Sequence, residues 1–156
     1  MKTYILDTNV FIEAWNKYYS PDFFPSYWEM ILDLSRNGQV FIPEAVYDEL
    51  QDKDDNLSQW VKTNNFLVET ADEDIQLKLR GVLADDLAKL LVNSNKRRNL
   101  ADPWVIAHAL SKGHSVVTKE ALTGRPHDPR IPDVCKHFNV DFINDFEMIK
   151  DLGVTL

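Results

Sequence analysis

The chain is poor in the features that would place it outside the cell or in a membrane. A single cysteine, Cys135, stands among 156 residues, which excludes an intramolecular disulfide framework and fits a reducing compartment. No apolar stretch approaches the roughly 20 residues that span a bilayer. The N-terminal apolar run stops after a few residues at Asp7, which is not the pattern of a signal peptide. These absences together predict a soluble cytoplasmic protein. Positive charge is also scarce: 17 Lys and Arg against 25 Asp and Glu give a net charge of -8. That argues against a protein that coats nucleic acid, whose footprint is basic. It leaves room for a nucleic-acid enzyme, because divalent cations among carboxylates reverse the local charge where a phosphate must sit. The four histidines show no zinc spacing. Glycine is sparse, and no repeat, low-complexity tract or linker interrupts the chain, so residues 1–156 read as one domain.

What is present is organised around Tyr4-Ile5-Leu6-Asp7-Thr8-Asn9. A short apolar run climbs to an aspartate, and a helical pattern (Val10, Phe11, Ala14, Trp15) follows at once. This reads as a buried strand that ends on an acid and turns into a helix over residues 8–19. Ligand chemistry in open α/β sheets lies at the carboxyl ends of strands. An ionised Asp7 there is costly to bury alone and calls for a partner such as a metal ion.

Further along, Ser26 and Glu29 have the spacing of a capping box for a helix that Asn37-Gly38 ends. Val40-Phe41-Ile42 is a strand, followed by a helix from Glu44 to Leu50. A short helix surrounds Trp60 and Val61, and Phe66-Leu67-Val68 reads as a strand. The longest helical pattern runs from Asp72 to Ser94. Asp102-Pro103 marks another helix start, with Asp102 as cap and proline next, and Lys112-Gly113 ends that helix. Ser115-Val116-Val117-Thr118 is a strand, residues 121–130 are a loop and residues 132–138 a short helix. Strand 140–143 and a last helix from Asp145 complete the chain. The alternation predicts an α/β fold in three layers, a mainly parallel central sheet with helices on both faces.

Four acids can meet in such a fold. In the helix of residues 44–50, Val46 and Leu50 define the buried face. Asp48 then points to solvent and Glu49 to the border, where it can reach a cleft. In the helix after Pro103, Val105, Ile106, Ala109 and Leu110 form the buried stripe. Asp102 falls within it and projects inward, while Trp104 and His108 lie on the other side; the plain alternative is that Asp102 only caps the helix. Glu120 follows the carboxyl end of strand 115–118, with Asp128 and Asp133 as further candidates. Asp7, Glu49, Asp102 and Glu120 form an all-carboxylate set, which suits Mg²⁺ or Mn²⁺ rather than zinc. Such a set can activate water and stabilise charge in phosphodiester cleavage.

Residues Leu6-Asp7-Thr8-Asn9-Val10, Pro43 to Leu50, Asp102 to Ala109 and Val116-Val117-Thr118-Lys119-Glu120 occur in the order seen in a known family. The chain resembles the PIN-domain nucleases, most closely the compact VapC-type toxins of toxin–antitoxin pairs. The resemblance implies a PIN-like fold and a Mg²⁺- or Mn²⁺-dependent endoribonuclease that cuts RNA by metal-activated water. Asp7, Glu49 and Asp102 match the family's core acids. Thr8, Asn9 and Thr118 would brace the acidic site, and an antitoxin protein and a homodimer are the expected partners. Two departures stand out. The fourth acid is Glu120 where an aspartate is usual, and Thr123 to Val134 replaces the short tail of these toxins.

Basic residues near the site are candidate RNA contacts: Lys96, Arg97 and Arg98 before Asp102, and Arg125, His127 and Arg130 after Glu120. For the first trio a solvated loop carries the greater weight. His108 and His137 read as surface or helix-end residues, and Cys135 as a small buried apolar one. Trp28, Trp60, Phe11 and Trp15 read as core, or as a dimer or antitoxin face. The competing function is a PIN-like scaffold that binds RNA or protein without cutting; intact core acids weigh against it. A third reading is a phosphatase-like use of Asp7 as nucleophile; against it, Asn9 stands where the usual second aspartate would be.

Overall fold

The computed structural model describes residues 1–93 and 101–156. Five short strands form one parallel sheet in the order β3-β2-β1-β4-β5. They are β1 (Tyr4–Leu6), β2 (Val40–Pro43), β3 (Val68–Glu69), β4 (Ser115–Val117) and β5 (Phe142–Ile143). β1 and β4 are buried along their whole length, as strands covered on both faces should be, which is why they read as unbroken apolar runs rather than alternations. The register pairs Ile5 with Phe41 on one side and with Val116 on the other. The chain runs outward from β1 through β2 to β3, then returns past β1 to β4 and β5. The order therefore reverses between β1 and β4, and the crevice beyond their carboxyl ends is the topological switch point.

Helices flank this sheet. α1 (Thr8–Glu13) follows β1, α2 (Pro25–Arg36) leads to β2, and α3 (Glu44–Gln51) leaves it. α4 (Asn56–Thr63), α5 (Glu73–Ala84), α6 (Leu90–Asn93) and α7 (Asp102–Lys112) come next, then α8 (Ile131–His137) and α9 (Asp145–Asp151). α7 packs on β1, β2 and β4 and carries α5 on its outer side. It stops at Gly113, whose φ of 73° is left-handed and suits glycine.

Several boundaries differ from the sequence pattern for identifiable reasons. The first helix is α-helical only to Glu13; Ala14–Tyr18 widens into a π-helical turn closed by the Tyr19 N–H on the Ala14 carbonyl at 2.7 Å. The Tyr19 carbonyl accepts from the Trp28 indole at 2.7 Å, and the Tyr19 ring stacks on Tyr27 at 4.2 Å, so aromatic packing holds the wide turn in place. α2 begins at Pro25 after Phe24, without the Ser26–Glu29 capping box. The long pattern from Asp72 to Ser94 breaks at Asp85, whose Oδ1 accepts the N–H groups of Leu87 and Ala88 and starts a new turn. Residues 65–67 are a 3₁₀ turn, so β3 begins only at Val68. Strand β5 is likewise confined to Phe142–Ile143.

Phe11, Trp15, Trp28 and Trp60 pack on one another; the Trp15 and Trp28 centroids lie 4.8 Å apart and those of Trp28 and Trp60 5.0 Å. They belong to the core or pack against it, as the core reading of these aromatics expects. Cys135 is buried, and burial pushes its thiol well above the ordinary range. Among the described residues no helix is long and apolar enough to cross a membrane.

Candidate active site

Asp7 sits where β1 hands over to α1, and it is the N-cap of α1. Its Oδ1 accepts the Thr8 N–H at 2.8 Å, and its Oδ2 accepts the Thr118 hydroxyl at 3.0 Å. Thr118 follows β4, so this second bond bridges the switch point. The same Thr118 Oγ1 accepts the Glu120 N–H at 3.1 Å. One hydroxyl thus fixes the Asp7 rotamer and the chain that presents Glu120. Asn9 works on the same loop, its Oδ1 accepting the Lys119 N–H at 3.1 Å.

Glu49 lies at the border of α3 as its helical position predicts, half-buried, with Asp48 exposed. The Thr8 hydroxyl donates to Glu49 Oε2 at 2.6 Å, and the Ala101 N–H to Oε1 at 3.3 Å. Glu49 therefore ties the start of α1 to the start of α7. Asp102 is the first residue of α7 rather than its cap; Ala101 takes the cap position and Pro103 follows. The capping alternative thus falls, and the carboxyl of Asp102 is buried as its place in the apolar stripe requires. Glu120 Oε2 accepts the Ile131 N–H at 3.0 Å, at the start of α8.

These acids act on one another. Burial pushes the Asp7 carboxyl up to about 7, helped by the charges of Glu120 and Glu49 and opposed by the Thr118 and Thr8 hydrogen bonds. Burial pushes Asp102 up to about 9, helped by the charges of Asp7, Glu120 and Glu49 and opposed by Arg130. Glu49 is raised as well, chiefly by burial. Two buried acids in one negative field resist joint ionisation, and a cation is what allows it. The donor set is all oxygen and suits a hard divalent ion. Among the described residues, no three Asp, Glu, His or Cys side chains stand close enough to hold a metal between them. Magnesium is commonly held by one or two carboxylates with water and substrate phosphate completing its shell, so Asp7 and Asp102 fit that role without a closed cage.

The other candidates separate by what they touch. Asp133 is occupied: its oxygens accept from the N–H groups of Thr123, Gly124 and Arg130 and from the Thr123 hydroxyl, all within 3.0 Å. These bonds hold its carboxyl below the usual range against the opposing effect of burial. It pins the loop of residues 121–130 to α8. Asp128 is exposed and faces Arg130 at 4.0 Å. Arg125 and His127 are exposed on that loop, whereas Arg130 is half-buried and its charge reaches Asp102. Lys96, Arg97 and Arg98 lie outside the described residues. His137 is at the surface, 2.9 Å from Asp85.

Two arrangements escaped the sequence reading. Lys119 Nζ meets the fully buried Asp145 at 2.7 Å and lies 4.4 and 4.3 Å from the ring centroids of Tyr18 and Phe146. The partners are 26 residues apart, and no local pattern signals the pairing. His108 is fully buried, contrary to its assignment to the surface: α5 packs on α7 and Glu69 of β3 meets the His108 ring. Its Nδ1 stands 2.7 Å from Glu69 Oε1, and His114 Nε2 stands 2.9 Å from Glu69 Oε2. Glu69 ends β3, so the rule that singled out strand-end acids applies to it equally.

A family model described as "Domain of unknown function (DUF4411)" matches residues 4–156. The chain belongs to the DUF4411 family. No curated protein matches it. Among solved structures it is similar to a chain of "VapBC2 from Rickettsia felis bound to a DNA fragment from their promoter". That match has 19% identity and a TM-score of 0.51 and covers 91% of this chain and 98% of the other. At that identity the likeness establishes the PIN-like fold of this DUF4411 chain.

Proposed function

We propose that the protein is a metal-dependent endoribonuclease of the PIN type and the toxin of a toxin–antitoxin pair. The observation that carries this reading is the buried Asp7–Asp102 pair at the switch point, raised by burial and by the charges of Glu49 and Glu120. A pure binding scaffold gains nothing from burying two carboxyls in the field of two further acids. The motif order in the sequence and the fold shared with VapBC2, a toxin–antitoxin complex, support the same reading.

Asp7 and Asp102 would hold Mg²⁺ or Mn²⁺, with Glu49 and Glu120 beside them. Bound there, the ion supplies Lewis-acid activation of water and charge stabilisation at the phosphate. The chain's own residues keep the acids in place. Thr118 and the Thr8 N–H fix Asp7, the Thr8 hydroxyl fixes Glu49, and the Ile131 N–H fixes Glu120. Arg130, whose charge reaches Asp102, would meet a substrate phosphate, with Arg125 and His127 as further basic contacts. An antitoxin partner would cover this mouth.

The test is cleavage of a mixed RNA pool with Mg²⁺ or Mn²⁺, with and without EDTA, followed by analysis of the new ends. Attack by water predicts 3′-hydroxyl and 5′-phosphate ends and no cutting in EDTA. Cutting that persists in EDTA, or ends carrying a 2′,3′-cyclic phosphate, would overturn the proposal.

A further inference from the structure

The segment that leaves β4 serves the acid site through two of its residues. The Thr118 hydroxyl donates to Asp7 Oδ2 and accepts the Glu120 N–H, and Glu120 reaches the start of α8. Lys119 stands between them in the chain, but its side chain has its contacts elsewhere. Its Nζ meets Asp145 Oδ1, on the first residue of α9, at 2.7 Å. It also lies 4.4 Å from the ring centroid of Tyr18, in the π-helical turn, and 4.3 Å from that of Phe146. Those two exposed rings stand edge to face at 5.8 Å.

An apolar pair could fill this place without the cost of burying charge. Asp145 is fully buried, and the Lys119 side chain is only 11% exposed. Asp145 Oδ2 has no hydrogen-bond partner among the described residues, so Lys119 is what satisfies this carboxylate. Taking two charges out of water costs desolvation that their attraction does not always recover, and well-packed apolar replacements are often as stable or more so. What the ion pair adds over an apolar contact is a fixed place for the ammonium, sharpened by the two rings beside it. The backbone of the same residue is held as well, because Asn9 Oδ1 accepts the Lys119 N–H at 3.1 Å. Lys119 is therefore anchored at both ends.

We infer that Lys119 is a positioning residue for the acid site. Held by Asp145, Tyr18 and Phe146, it sets the Thr118 hydroxyl on Asp7 and directs Glu120. This rests on the reading of the acids as a divalent-cation site. The Lys119 ammonium pairs with Asp145 and with none of the site acids, so its effect passes through the peptide units on either side. Through it, α9 and the π-helical turn support a site to which neither contributes an acid.

The experiment compares the full-length wild type with Lys119→Met/Asp145→Leu. The double variant removes one charge of each sign, so weaker cation binding in it is not a loss of net negative charge. Mn²⁺ affinity is read from the electron paramagnetic resonance signal of the free ion. Exchange of the Glu120 amide is read by ¹⁵N NMR on the metal-free protein, and thermal unfolding reports the fold. The double variant should melt at least as high as wild type and bind Mn²⁺ at least about tenfold more weakly, the scale of lost support behind a metal ligand. Its Glu120 amide should exchange several-fold faster as the bond to Thr118 loosens. Tyr18→Leu/Phe146→Leu keeps the ion pair, changes only exposed rings and should show a smaller loss of about threefold in Mn²⁺ affinity. This second variant decides the matter if the first does not fold. Unchanged Mn²⁺ affinity and Glu120 exchange in folded variants would overturn the role, and so would a change in one without the other. A wild-type protein that binds no Mn²⁺ would instead overturn the cation-site reading, and the positioning role with it.

Discussion

Replacing Asp102 by asparagine should make the metal-free protein more stable at alkaline pH, although it removes a central residue of the site. Asp102 has a folded pKa of about 9 against an ordinary 3.8. A raised carboxylate pKa means that the folded state binds the proton more tightly. Its contribution is greatest at low pH and is lost as pH rises through the folded value. Between about pH 6 and about pH 8 the unfolded chain is ionised at this position while the folded chain is not. Each pH unit then costs about 1.4 kcal/mol, or close to 3 kcal/mol across the interval. Asp7, raised to about 7, adds roughly another 1 kcal/mol over the same interval. The assay is urea unfolding in EDTA at both pH values. Wild type should lose about 4 kcal/mol from the low to the high pH, and Asp102→Asn less than about half of that. The difference between the two losses reports Asp102 together with its coupling to Asp7 and the neighbouring acids. Equal losses would refute the argument that Asp102 is held protonated by burial and its neighbours.

Lys119→Met should destabilise the fold by about 3 to 5 kcal/mol, because it leaves the buried Asp145 charge unpaired. Thermal unfolding checks this, and adding Asp145→Asn should restore much of the loss. Glu69→Gln should cost about 2 kcal/mol by removing charged hydrogen bonds to His108 and His114. In wild type, the contribution of Glu69 is present above its ordinary 4.5 and lost as pH falls toward about 2, which acid unfolding of the two proteins compares. Asp133→Ala should release the loop of residues 121–130 and raise tryptic cutting after Arg130, whose N–H Asp133 accepts, by about fivefold, for a local loss of about 1 kcal/mol.

Much of the fold was legible because its signals are local. Apolar runs such as Tyr4–Leu6 and Ser115–Val117 can only be buried strands, and the wheel of α7 puts Asp102 among Val105, Ile106 and Ala109. The same wheel separated Glu49 from Asp48. What escaped depends on contacts between distant segments. The π-helical turn at Ala14–Tyr18 is held by Trp28 and Tyr27, which no window around residue 16 contains. His108 looks outward on its own helix and becomes interior only when α5 packs on α7 and Glu69 meets its ring. The end of α5 was hidden because Asp85 and Asp86 fall on polar positions of an otherwise continuous pattern. Asp133 and Glu120 are both strand- or loop-end acids in the sequence. Only the hydrogen bonds of Asp133 to Thr123, Gly124 and Arg130 show it committed to the loop.

In the proposed function Asp7 and Asp102 form a cation-dependent RNA-cutting site. The most direct measurement compares wild type with Asp7→Asn on the same RNA pool in Mn²⁺, with circular dichroism to confirm that both are folded. Cutting by wild type alone, at least about 10³-fold above the variant, is the predicted result. A folded Asp7→Asn protein that cuts as well as wild type would contradict it.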